Sequence, residues 1–255
     1  MTTAQARAGA LYAARRDRIP IEPFTDTDPA MTAGAAYEVQ TCFASMLLDG
    51  GDAVSGYKLG LTSKAMQKMM GISDPDYGPV LHSMIHEGEL DASSFIRARA
   101  EAEIALVLDR PLAGPNVTSI EAARAVGGAV AAIEVVDSRI ADWRIKLADT
   151  ISDLASIGGV VLSSRIVPVD FDLRLVGMTF SLNGSVVATG AGAAALGNPI
   201  TALAWLANTL APHGVTLERG MFVMTGALHA AVDVNAGDVV RAEFDRLGPV
   251  SLRMA

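Results

Sequence analysis

The chain has a single cysteine, Cys42, in 255 residues, so no disulfide can form within it. Cys42 falls in an apolar helical pattern, where a thiol acts as a small hydrophobe rather than a nucleophile. Charge is scarce too. Charged residues make up 19% and hydrophobic residues 51%, the reverse of the balance that keeps a chain disordered. There is no basic surplus: 20 Lys+Arg against 28 Asp+Glu give a net charge of −8. Such a chain repels phosphate overall, which argues against a nucleic-acid partner. No apolar run reaches the roughly 18 residues that a membrane helix needs. The longest candidate, Ala125 to Ile133, contains Gly127 and Gly128 and stops at Glu134. Met1 to Ala14 includes Arg7 and no continuous apolar stretch, so no secretory leader is visible. The expectation is a soluble globular protein of a reducing cytoplasm, without a membrane or nucleic-acid partner. Its apolar, charge-poor composition points to a homo-oligomer that buries part of its exterior.

Periodicity then divides the chain. From Thr32 to Leu48 the residues Ala36, Val39, Phe43, Met46 and Leu47 recur at helical spacing, and Gly50-Gly51 ends the pattern. Ile19 to Pro29, with Pro20 and Pro23, reads as a loop. A short helix is expected through Met66 to Met70, ending at Gly71, and Asp74-Pro-Asp-Tyr-Gly78 reads as a turn. Residues 1–94 thus read as a smaller helical region and residues 95–255 as a β-rich catalytic body. In the latter, Glu101 to Asp109 alternates with period two, and Ala129 to Asp137 is a second apolar strand. Thr118-x-x-Glu121 is a capping box, Asn183-Gly184 a hairpin turn, and Asn198-Pro199 the start of a helix ending before Gly214. Strands follow at Met221 to Thr225, Asp238 to Phe244 and Pro249 to Met254.

The carboxylates carry the chemistry. On a strand, Glu101 and Glu103 project from one face. Adjacent like charges disfavour each other unless a cation or proton neutralises them, and a hard divalent cation does this well. A solvated strand face would give the same pattern. Glu134 interrupts Ala-Val-Ala-Ala-Ile-Glu-Val-Val, where burial is deep and a carboxylate must be paired, protonated or metal-bound. Either it joins Glu101 and Glu103 around a cation, or it pairs with Arg139 or Lys146.

Several segments resemble the 2-keto-4-pentenoate hydratase family. They are Lys58-Leu-Gly-Leu-Thr-Ser, Pro75-Asp-Tyr-Gly78, Glu101-Ala-Glu-Ile-Ala-Leu-Val-Leu and Ile133-Glu-Val-Val-Asp-Ser-Arg-Ile-Ala-Asp-Trp143. Thr189-Gly-Ala-Gly-Ala-Ala-Ala-Leu-Gly-Asn-Pro199, Ala204-Trp-Leu-Ala-Asn208 and Val234-Asn-Ala-Gly-Asp238 continue the likeness. The 4-oxalocrotonate decarboxylases share these segments, and both groups belong to the fumarylacetoacetate hydrolase superfamily. The likeness runs from about residue 35 onward and rests on the order and spacing of the segments together.

The resemblance implies an α+β fold, a mixed β-sheet roll around a metal site with a smaller helical N-terminal part. It implies Mg²⁺ or Mn²⁺ on Glu101, Glu103 and Glu134, and a small 2-oxo or 2-hydroxydienoic acid substrate from aromatic meta-cleavage. The implied activity is a hydratase, a hydro-lyase, with a downstream aldolase as a candidate partner. Decarboxylation of a 2-oxo-hex-3-enedioate is the alternative. Lys58, Asp76 and Ser156 match family residues near the substrate and are the candidate catalytic groups.

The chain also departs from the family pattern. Leu154 stands in Ser152-Asp-Leu-Ala-Ser156 where the family usually has Asn, and Leu lacks the amide's donors and acceptor. This keeps open a third reading, a catalytically weak subunit that supports a pathway enzyme. Alanine replaces the family proline ahead of Glu-x-Glu in Arg97-Ala-Arg-Ala-Glu101, and Arg97 and Arg99 flank that strand. The superfamily's C–C hydrolases activate water with a His–Glu pair. Here His82, His86, His213 and His229 lie in no matching motif. His82 and His86 would share a helix face if that segment were helical, and His229 follows a strand near the expected site.

Overall fold

The computed structural model describes residues 1–64, 67–68 and 74–255. Two long helices open the chain. Thr3–Asp17 starts at a capping box between Thr2 and Gln5, and Ala33–Leu48 starts where the Thr32 side chain accepts from the Ala35 N–H. A one-turn helix, Phe24–Thr27, sits inside the expected loop between them.

The remaining chain builds strands β1 Val54–Gly60, β2 Asp76–Leu81, β3 Ile85–His86, β4 Glu89–Leu90, β5 Arg99–Leu108, β6 Val126–Val136 and β7 Ile157–Leu162. Then come β8 Gly177–Leu182, β9 Ser185–Ala191, β10 Phe222–Ala227, β11 Val232–Asp233, β12 Val239–Phe244 and β13 Gly248–Met254. They form an eight-stranded mixed sheet in the order β2-β1-β10-β5-β6-β7-β3, with β11 also on β5, and a five-stranded sheet β4-β13-β12-β8-β9.

Strand parity sorts the core into two layers. Ala102, Ile104 and Leu106 of β5 and Ala131, Ile133 and Val135 of β6 meet Phe180, Val240, Ala242 and Leu252 of the smaller sheet. The opposite face of the main sheet, carrying Ala105, Val130 and Ala132, packs under Leu11, Val39 and Phe43 of the two long helices. Glu101, Glu103 and Glu134 share the parity of this second face. The expected hairpin is present, with Asn183 and Gly184 both at positive φ (51° and 83°), as a two-residue turn of this twist requires. Asn198 caps the helix Pro199–Leu210 by accepting from the Ile200 N–H. Among the described residues no helix is long and apolar enough to cross a membrane.

Two expectations need correction. Residues 1–94 are not uniformly helical: the two long helices end by Leu48, and β1 to β4 follow. The main sheet takes β1, β2 and β3 from before residue 95 and its other strands from after it, so a division at 94/95 does not separate the sheet. The segment Asp76-Tyr-Gly is not a turn but the start of β2. Pro79 is tolerated there because β2 is an edge strand and needs no further donor on its free side. Met66, Met69, Met70 and Gly71, the core of the expected short helix, lie outside the described residues.

Candidate active site

Four strands of the main sheet, β2 and β1 on one side of β10 and β5 and β6 on the other, bring their charged side chains to one place. Glu101 and Glu103 come from β5, and Glu101 stands directly opposite Glu134 in the antiparallel β5–β6 ladder. Lys58 comes from β1, and Asp76 comes from β2, where it is in register with Gly60. A side chain at position 60 would put its Cβ 2.1 Å from Asp76 Oδ1, so glycine there makes room for the carboxylate. Glu101, Glu103 and Glu134 each offer an oxygen within 4.8 Å of the others. The Lys58 Nζ lies 3.1 Å from Glu134 Oε1 and donates to the Ala155 carbonyl at 2.9 Å. Neither Arg139 nor Lys146 is the partner of Glu134, because Arg139 is ion-paired with Asp153 instead.

Burial makes this cluster costly on its own terms. Glu134 is 0% exposed, and Lys58, Asp76 and Glu103 are buried with it. Asp76 Oδ1, Glu103 Oε1 and both Glu134 oxygens accept no hydrogen bond among the described residues. The other Glu103 oxygen accepts from the Gly226 N–H at 2.9 Å. Gly226, at φ +113°, sits where the β10–β5 register shifts, and the bulge turns its N–H toward the carboxylate. Burial, and then the charge of Glu134, push the partly exposed Glu101 up to about 7. The same two causes raise Glu103 well above the carboxylate range. Burial alone would lower Lys58, but the surrounding carboxylates, Glu134 first, outweigh it and hold the ammonium charged. Glu101, Glu103 and Glu134, the last two with unsatisfied oxygens, form an all-oxygen donor set that fits a hard divalent cation.

A turn completes the site. Leu154, Ala155 and Ser156 all take positive φ (55°, 52° and 58°), a run that non-glycine residues rarely sustain. Packing enforces it. Leu154 is fully buried among Val39, Phe43 and Val80. Arg139 locks the turn from behind: its side chain bonds the Asp153 carboxylate and carbonyl, and the Asp137 and Ile157 carbonyls at 2.6 Å. The result presents the Ala155 carbonyl to Lys58 and places Ser156 Oγ 3.2 Å from Thr150 Oγ1, beside Asp76. Leu154 therefore serves the site through its backbone and its packing. Gly78 lies against this turn, and a Cβ there would fall 2.3 Å from the Leu154 carbonyl oxygen. Gly78→Ala is expected to destabilise the protein by about 1–3 kcal/mol and to shift the turn, which thermal melts and turnover together would register.

The fumarylacetoacetate (FAA) hydrolase C-terminal family matches residues 82–255. The chain belongs to the fumarylacetoacetate hydrolase family. It is 44% identical over 233 residues to a 2-keto-4-pentenoate hydratase of Burkholderia vietnamiensis (strain G4 / LMG 22486), covering 90% of this chain and 89% of that one. It is 41% identical over 246 residues to a 2-keto-4-pentenoate hydratase of Paraburkholderia xenovorans (strain LB400), covering 95% and 91%. The solved structure of 4-oxalocrotonate decarboxylase from Pseudomonas putida G7, complexed with magnesium and adipate, matches with a TM-score of 0.95 at 34% identity, over 100% of this chain and 99% of that one.

Within this family member the histidines stand apart from the acids. His229 accepts from the Ala102 N–H at Nε2 (2.9 Å) and lies 2.7 Å from the Ala230 carbonyl at Nδ1, so backbone occupies both ring nitrogens. His82 is in a 3₁₀ turn and His86 in β3, so the helical spacing that would have paired them is absent. No His–Glu pair is found at the acid cluster among the described residues. Sequence reasoning missed Gly226, Thr150 and the Arg139–Asp153 pair. Arg99 shares the face of Glu101 and Glu103 one pleat further out. It bonds Asp233 at 2.7 Å and stacks on Trp143 with its guanidinium carbon 4.5 Å from the ring centre.

Proposed function

We propose that this chain is a divalent-cation-dependent hydratase, a hydro-lyase, acting on 2-hydroxypenta-2,4-dienoate-like acids of aromatic meta-cleavage. The observation that carries the proposal is the convergence of Glu101, Glu103 and Glu134 to within 4.8 Å, with Lys58 held against them, in a chain 44% identical to a 2-keto-4-pentenoate hydratase. Glu101, Glu103 and Glu134 would hold the cation, Mg²⁺ or Mn²⁺. When bound, it would supply positive charge where negative charge gathers on the substrate's 2-oxygen.

The overall change is addition of one water. A proton goes to C5 of the 2-hydroxydienoate as the 2-hydroxyl proton leaves, giving a conjugated 2-oxo-3-enoic acid. Water then adds across C3 and C4, placing hydroxyl on C4 and hydrogen on C3. The product is a 4-hydroxy-2-oxo acid, suited to a downstream aldolase. Lys58 Nζ, charged and fixed by Ala155 and Glu134, is placed to bind the substrate's carboxylate and steady its charge. Asp76 has an unsatisfied oxygen and is raised by burial toward its protonated form, so it can hold the proton that moves to carbon. Ser156 Oγ, backed by Thr150, can orient the water.

Turnover of 2-hydroxypenta-2,4-dienoate and of 2-oxo-hex-3-enedioate, each with Mg²⁺ and with EDTA, tests the proposal. Hydration that needs Mg²⁺ and releases no CO₂ is expected. CO₂ released from the dicarboxylate, with no hydration of the dienoate, would instead select the decarboxylase. The end-to-end match to a decarboxylase favours keeping that second reading, and Arg99 at the outer end of the acid face could meet a second carboxylate.

Proton competition predicts a pH dependence. In the cation-free protein Glu101 sits at about 7 against an ordinary value of 4.5. The folded state therefore binds more protons than the unfolded state in that window, and stability falls as pH rises through it. A cation must displace those protons, so the gain in melting temperature on adding Mg²⁺ should grow from pH 5 to pH 8. An equal gain at both values would count against carboxylate ligation.

The exposed side chains of Leu175, Val186 and Val187 support the expectation of a homo-oligomer, which a sizing column tests. The composition and single cysteine support a cytoplasmic setting.

A further inference from the structure

A cavity of about 550 Å³ opens between the C-terminal end of the helix Thr3–Asp17 and the β3 edge of the main sheet. None of the candidate catalytic or cation-binding residues lines it. Its volume is that of a small-molecule site, and one side carries Arg15, Arg16 and Arg18 in a protein whose net charge is −8.

Arg15 is the informative member. It is half-buried, yet it makes no hydrogen bond and no ion pair with any of the described residues. Burial first, and then the nearby cation of Arg139, pull it down to about 10. A guanidinium taken out of water without a partner is costly. Basic residues at a helix C-terminus complement the helix dipole, which explains a charge at this position but not its burial. The carboxylates nearby are already engaged. Asp153 belongs to Arg139. Asp137, which lines the cavity, accepts from the Ile96 N–H at 3.0 Å and the Arg97 N–H at 2.7 Å. Asp91, also in the lining, is exposed and caps the Ser93 N–H at 2.9 Å. Arg16 is paired with Asp17. Arg18, exposed at the opening, lies within electrostatic reach of Asp91 but has no ion pair or hydrogen bond among the described residues.

We propose that this cavity is a binding site for a small oxyanion, a carboxylate or a phosphate, gripped by Arg15 and Arg18. Guanidinium groups fork onto such groups with paired hydrogen bonds. Tyr12 and Phe95 give the cavity an aromatic wall against which an organic carboxylate would rest. His86, lowered by burial and by Arg15, adds a neutral polar group to the lining.

Calorimetric titration of the full chain, stripped of metal with EDTA and then dialysed free of the chelator, with inorganic phosphate and, separately, with benzoate tests this. Stripping keeps either anion from being drawn to a cation on the acid cluster, so the result does not depend on the proposed hydratase activity. Saturation at one site per chain is expected with at least one anion, above a sodium chloride control, and the responding arm separates phosphate from carboxylate. Arg15→Gln should weaken that binding by roughly tenfold or more, while Arg219→Gln, whose residue pairs with Asp109 on the surface, should not. If Arg15→Gln fails to fold, Arg18→Gln at the exposed position gives the same reading. Three results would overturn the proposal: no saturation with either anion, unchanged affinity in the folded arginine variant, or loss of a wild-type oligomer in that variant. The last would assign the arginines to a subunit contact.

Discussion

Lys58→Met is expected to lower the stability of the cation-free protein by about 3–5 kcal/mol, the cost of leaving a buried charge without its partner. Among the described residues Lys58 is the one cation in ion-pair contact with Glu134, which is 0% exposed. Methionine keeps an unbranched side chain one atom shorter and removes the charge and the donor to Ala155. Mg²⁺ should restore part of the loss, because a cation on the acid cluster replaces the missing positive charge. Turnover should remain depressed, by roughly 10²-fold or more, because the substrate's carboxylate loses the ammonium that positions it. Thermal melts with and without Mg²⁺ separate the two effects. A variant that melts like wild type in EDTA would show that Lys58 does not neutralise Glu134.

Glu103→Gln should act with the opposite sign on stability. Gln keeps the shape and an acceptor for the Gly226 N–H, yet it removes a carboxyl group whose charged form burial and Glu134 disfavour. The cation-free variant is expected to melt above wild type. Its affinity for Mg²⁺ should fall by at least ~100-fold, since even groups that only support metal ligands cost 10- to 100-fold when lost. Hydratase activity should fall with it. Activity that survives intact in Glu103→Gln would remove the cation from the mechanism.

How much of this could be read in advance depended on whether the signal was local. The period-two pattern around Glu101 placed both carboxylates on one face, and the break in the apolar run at Glu134 marked a buried acid. Both features sit within a few residues of sequence, and the structure aligns them across β5 and β6. The strands β1 and β2 were hidden because their glycines and prolines imitate turn chemistry. Gly56 and Gly78 are there for close approach instead: a Cβ would fall 2.2 Å from the Phe222 carbonyl oxygen at the first and 2.3 Å from that of Leu154 at the second. The partner of Glu134 was sought among nearby cations, Arg139 and Lys146. It is Lys58, brought in by sheet pairing far along the chain. The left-handed turn at 154–156 had no local signature either, since its residues are held by Arg139 and by packing rather than by glycine.

The parallel ladder between β1 and β10 sets when the site can exist during synthesis. Lys58 lies beside Met224 in that ladder, and β10 in turn pairs with β5, so it stands between the lysine strand and the glutamate strand. A ribosome has produced Lys58, Asp76, all three glutamates and Ser156 long before it reaches Phe222. Until the chain from Phe222 to Ala227 emerges, nothing holds β1 at its distance from β5, and non-local pairings of this kind form late. A polypeptide cut between Ser156 and Phe222 would keep every charged group of the site and still have no site.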